Sequence, residues 1–154
     1  MAFYYCEDPD FWNQINHPSL AWTQEMTRIS DIVAGAARMG DDYDERPPMA
    51  QLLKLPPGGI IPKHSHDCYR VEVIIKGSFD VGNGRQMGPG DVMITAPGES
   101  YGPHIAGPEG AMTAEFVSDC TGKIVFADPE MASTGEAIVQ HMAEFKEQVR
   151  ARTT

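Results

Sequence analysis

Between Met49 and Asp128 short apolar runs alternate with tight breaks at Pro56-Pro57-Gly58-Gly59, Lys76-Gly77, Gly82-Asn83-Gly84, Gly88-Pro89-Gly90, Pro97-Gly98 and Gly107-Pro108. Runs of about four to eight residues closed by Gly, Pro or Asn predict short antiparallel strands in a sandwich or barrel, not βαβ units. The class is all-β. Val71, Val73, Ile74 and Ile75 make Val71 to Phe79 nearly continuous β-branched sequence, which suits a central strand buried on at least one face. A strand over Ile32 to Met39, an acidic loop from Asp41 to Pro48, and a strand over Met49 to Leu55 read as a hairpin-like unit, and a further strand spans Val92 to Ala96. The two ends have a different texture. Asp8-Pro9-Asp10 is placed to cap a short helical segment through Asn16. Ile138, Val139, Met142, Phe145 and Val149 lie on one stripe of a helix from Gly135 to Arg150.

A chain of 154 residues is long enough for one domain with a real core, so residues 1–154 are read as one unit with its strand-rich core at 32–128. Charge narrows the choice of partner. The net charge of −10, from 22 acidic and 12 basic residues, argues against nucleic acid, which requires clustered Lys and Arg. No apolar run approaches the roughly 20 residues of a membrane span. Met1 to Cys6 lacks the features of a signal peptide, which leads to the expectation of a soluble, cytoplasmic protein. Cys6, Cys68 and Cys120 are widely spaced and form no CxxC pair, so they are read as reduced thiols, Cys68 as a buried one.

Candidate chemistry begins with two of the five histidines. In Ile60-Ile61-Pro62-Lys63-His64-Ser65-His66 the two imidazoles stand at i and i+2, which in a strand places both on one face and within reach of one ion. A pair of surface histidines on an edge strand satisfies the same spacing. His17 beside Pro18 reads as a loop residue, and His141 as an exposed helical one.

The residues flanking this pair shift the balance. Gly58, five residues and His64-x-His66, then Gly77, Gly88-Pro89-Gly90-Asp91, Pro97-Gly98 and His104, form an order that resembles the two motifs of the cupins, G-x5-HxH-x3/4-E-x6-G and G-x5-PxG-x2-H. The resemblance implies a double-stranded β-helix, a jelly-roll barrel with a short N-terminal extension and a C-terminal helix. It also implies that His64, His66 and His104 hold one divalent metal. Two departures qualify it. The family's glutamate position is Arg70, which holds its proton and cannot ligate, while Glu72 two residues on shares its face. His104 stands seven positions after Pro97, where the family shows five.

A three-histidine set without glutamate looks like that of small iron cupins that cleave β-diketones or hydroxy-ketones with O2, the likeness in element order running from Trp22 to Asp128. This leads to the expectation of an Fe(II) dioxygenase acting on a small chelating diketone or hydroxy-ketone. One alternative is a lyase, isomerase or hydrolase that uses Zn, Mn or Ni with Glu72 as ligand or base. Another is a non-catalytic module that binds a small ligand. Arg70 is read as an anion-orienting group or as the ion-pair partner of Glu72 or Asp91. Glu99 is read as a hydrogen-bond partner for a ligand histidine or as an exposed loop residue. Tyr101 is expected to line the pocket as a donor, and Tyr69 to lie outside. Small cupins commonly pair through sheet edges, so a homodimer is expected.

Overall fold

The computed structural model describes Phe3, Tyr5–Asp8, Phe11, the backbone of Val33–Arg38, Arg46–Gly82, Gly84–Asp119 and Ile124–Ala127. The helices expected through Asn16 and over Gly135–Arg150 lie outside these residues, as do His17, His141 and Cys120. Nine strands occur among them in chain order: β1 (Val33–Arg38), β2 (Met49–Leu55), β3 (Ile60–Ile61), β4 (His64–His66), β5 (Arg70–Asp80), β6 (Gln86–Met87), β7 (Val92–Thr95), β8 (His104–Val117) and β9 (Ile124–Phe126). Every pairing among them is antiparallel.

The main sheet runs β1-β2-β8-β5-β6, with β3 attached to β8 and β7 to β5, while β4 and β9 form a second sheet. β1 and β2 pair from Val33↔Lys54 to Arg38↔Met49, the hairpin-like unit expected from the pattern. β5 lies between β8 and β7 along Arg70–Val73, so it is an interior strand of the sheet, as expected. Leu53 and Leu55 of β2, Ile61 of β3, Ile74 and Phe79 of β5, Ala106 and Val117 of β8 and Phe126 of β9 meet in one apolar cluster. Removing these side chains from water is the main force that closes the two sheets on each other.

Two glycine positions show why the breaks fall where they do. Gly59 N–H donates to the Pro56 carbonyl at 2.9 Å, closing a turn whose third residue, Gly58, has φ 67°. A positive φ at that place requires glycine for ease. Gly77 (φ 72°) sits where any Cβ would collide with the Gly110 carbonyl, so β5 approaches β8 there only because Gly77 lacks a side chain. Around this point the β5–β8 register shifts between Ile74 and Lys76 and again between Gly77 and Phe79. The shift moves the inward phase of β8 from His104 and Ala106 to Ala111, Thr113, Glu115 and Val117.

Candidate metal centre

The HxH spacing works as strand geometry requires. His64 and His66 are both buried in β4, with ring centroids 5.2 Å apart. β8 begins at His104, paired with Ile61, and brings its ring 6.0 Å from that of His64. His104 is fully buried and packs against Phe79 at 5.2 Å. The three histidines named from the sequence therefore converge inside the barrel.

Their protonation follows from their partners. His64 Nδ1 lies 2.6 Å from the Pro62 carbonyl oxygen. A carbonyl only accepts, so Nδ1 carries the proton and Nε2 presents its lone pair. That lone pair accepts from the Tyr101 hydroxyl at 2.9 Å. Burial lowers all three imidazoles. His64 falls to about 3 despite the Pro62 bond, with His104 and Arg70 adding to the effect. His66 falls to about 2, with His64 and Arg70 adding and Glu72 opposing. His104 falls to about 3, with Arg70 adding. The rings stay neutral through the physiological range, the form that ligates a metal. Burial also raises the Tyr101 phenol, against the opposing charge of Arg70.

Beneath the imidazoles lies an ionic layer. Glu72 of β5 and Glu115 of β8 are directly opposite in the register. Two like charges in that position repel. Arg70 lies between them, donating through Nη2 to Glu72 Oε2 at 2.6 Å and through Nε to Glu115 Oε1. Gln51 Nε2 donates to the remaining oxygen of Glu115. All three charged side chains are at most 3% exposed, and Arg70 Cζ sits 4.7 Å over the Tyr101 ring. Arg70 and Glu72 thus point inward and pair, as one of the expected readings had it.

Other expectations are corrected. Asp91 is not a partner of Arg70, because its carboxylate accepts from Gly88 N–H at 2.8 Å and closes the Gly88–Asp91 turn. Glu99 does not receive a histidine N–H. It is exposed and accepts from Ala96 N–H at 3.0 Å. Its reach is indirect, since the turn it closes presents Gly98 N–H to the His66 carbonyl at 2.7 Å. The extended loop before His104 explains the change. It carries Tyr101 alongside β4, where Tyr101 and His64 exchange two backbone hydrogen bonds of 2.9 and 3.1 Å. Tyr69 is 62% exposed and Cys68 is buried, both as expected. Glu115 and Gln51 are additions that the sequence pattern does not single out.

The residues fit a metal by one observation above others. Among the described residues, His66 Nε2, both nitrogens of His104, Glu72 Oε1 and Arg70 Nη1 are buried without a hydrogen-bond partner. Each such group costs about 1–3 kcal/mol, so a cluster of them is the mark of a site built for a ligand. Among the described residues no three His, Cys, Asp or Glu side chains stand ready to hold an ion as placed. The Tyr101 ring stands among the imidazoles, 4.6 Å from His64, 5.2 Å from His104 and 6.2 Å from His66.

The fold is a double-stranded β-helix. The structure is similar to the polyketide cyclase RemF from Streptomyces resistomycificus, with a TM-score of 0.55 and 18% identity over 72% of this chain and 85% of that one. It is similar to a conserved protein with a double-stranded β-helix domain from Klebsiella pneumoniae, with a TM-score of 0.50 and 20% identity over 64% and 85%. It also resembles oxalate decarboxylase from Bacillus subtilis, a protein with Mn(II) centres, with a TM-score of 0.54 and 21% identity over 78% of this chain and 35% of that one. No protein-family model and no curated protein matches the sequence. Among the described residues no helix is long and apolar enough to cross a membrane.

Proposed function

We propose that this protein is a mononuclear metal enzyme in which His64, His66 and His104 hold a divalent ion and Glu72 serves as fourth ligand or as base. It acts on small, oxygen-bearing substrates that chelate. The unpartnered donor atoms of His66, His104 and Glu72, buried together beside His64, carry the reading. A bound ion supplies Lewis acidity, which polarises a carbonyl and favours the enolate beside it. The chain supplies the rest. Glu72 is anchored by one oxygen on Arg70, which leaves Oε1 to take a proton from a carbon next to that carbonyl and to return it. Arg70 Nη1 is a fixed donor for an anionic oxygen. Phe79, fully buried against His104, keeps water from that side. The neighbours accord with this class of chemistry, since a polyketide cyclase and a Mn(II) decarboxylase share the fold.

The free oxygen of Glu72 favours the proton-transfer version, a lyase or isomerase using Zn, Mn or Ni. The second version is an Fe(II) dioxygenase cleaving a diketone or hydroxy-ketone, and the pairing of Glu72 with Arg70, which leaves three imidazoles alone to hold the ion, favours it. Metal analysis of protein purified without chelator is expected to find about one ion per chain and much less in His66→Ala and His104→Ala. Full metal content in both variants would refute the centre. Deuterium exchange into a β-diketone panel, with loss in Glu72→Gln, supports proton transfer. O2 uptake with the same panel after Fe(II) loading supports the dioxygenase. Binding of the panel with neither signal marks a ligand-binding module.

A further inference from the structure

Tyr101 has a relation to this centre that the ligand set does not require. His64 Nε2 has one lone pair, and the Tyr101 hydroxyl occupies it at 2.9 Å. The Pro62 carbonyl holds the Nδ1 proton in place, so His64 cannot offer its other nitrogen instead. One lone pair cannot serve a hydroxyl and a metal together. The ring is also held by its surroundings. It stacks at 28° on His104 and at 12° over His66, and it lies beneath the Arg70 guanidinium.

The backbone restricts how this contact can be broken. Tyr101 N–H donates to the His64 carbonyl, and His64 N–H donates to the Tyr101 carbonyl. Main chain and ligand strand are therefore coupled, and moving the loop would also displace His64. The side chain must instead rotate about its own Cα–Cβ bond. Tyr101 is 9% exposed, whereas His104 is fully buried.

We propose that Tyr101 is an internal competitor for the metal: its phenol satisfies His64 Nε2 while the ion is absent and rotates out when the ion enters. The proposal rests on the metal reading above. The tyrosine keeps a buried ligand nitrogen from standing unsatisfied, and in return it weakens and slows metal binding. No covalent or redox step is involved.

The test is a titration of the metal-free protein with Zn(II) against a chromophoric chelator, for wild type and Tyr101→Phe, with near-ultraviolet difference spectra recorded alongside. Removing the hydroxyl leaves His64 Nε2 buried without a partner in the ion-free state, which corresponds to Zn(II) binding about 5- to 150-fold tighter in the variant. Wild type is expected to show a tyrosine difference signal that saturates with one equivalent of Zn(II), and Tyr101→Phe is expected to lack it. Binding by the variant where wild type binds nothing supports the same conclusion more strongly. Equal affinities overturn the proposal while leaving the metal centre intact. Weaker binding by the variant also overturns it and makes Tyr101 a ligand. No binding by either protein overturns the metal reading itself. Should the variant fail to fold, the wild-type difference spectrum decides: a titration that leaves the tyrosine signal unchanged refutes the rotation.

Discussion

The two faces of β5, β7 and β8 invert the usual distribution of polarity. Inward, Arg70, Glu72, Thr113 and Glu115 are at most 3% exposed. Outward, Val92, Ile94 and Phe116 are 54%, 69% and 45% exposed, in register with Val73 and Val71 between them. A sheet selected only for stability would place the aliphatic side chains inside, since buried ions recover their desolvation cost only with excellent partners. The contrast accords with the metal centre proposed above, while the apolar cluster at Leu53, Ile74, Phe79 and Phe126 holds the fold.

Acid should break the contrast most completely. Each inner histidine has a folded value of about 2 or 3 against an ordinary 6.5. The unfolded chain therefore binds protons that the folded chain refuses, and stability is lost as the pH falls from about 6.5 toward 3. Urea midpoints of the metal-free protein are expected to drop steadily across that window, and His66→Gln should make the slope shallower. A flat profile between about pH 6.5 and 4 would contradict the neutral, buried histidines.

Arg70→Met comes next. It leaves Glu72 and Glu115 opposed without their shared cation, and a loss of about 3–5 kcal/mol is expected from urea unfolding at neutral pH. A loss below about 1 kcal/mol would mean that the ionic layer is wet. Thr113→Val replaces a buried hydroxyl that has no partner by a group of the same shape. Stability should hold or rise by about 1 kcal/mol, and a clear loss would reveal an acceptor for that hydroxyl. On the outer face, Ile94→Thr is expected to change stability by less than about 0.5 kcal/mol in the same assay, because water already covers most of the side chain. A larger loss would show that the outer row is packed.

Much of this architecture is legible in the sequence. The apolar pattern gives Met49–Leu55 its observed bounds, and His64 and His66 share a face because strand alternation is local and strict. The same parity places Arg70 and Glu72 together. Glu115 is hidden because its phase cannot be counted from His104. The register slips near Gly77 and Gly110 reverse the parity between those two residues of one strand. Glu99 and Asp91 depart from expectation because each accepts from a backbone N–H three residues earlier, a local use that competes with any role in the cavity.

The sequence by itself determined the all-β class, the strand breaks and the pairing of His64 with His66, since each depends on neighbours a few positions apart. Tertiary structure decided how Arg70 divides between Glu72 and Glu115, and it decided that Tyr101 occupies the lone pair of His64. The Tyr101–His64 and Arg70–Glu115 contacts join residues 37 and 45 positions apart. Their geometry depends on bulges, cross-strand register and loop path, which only the closed barrel defines.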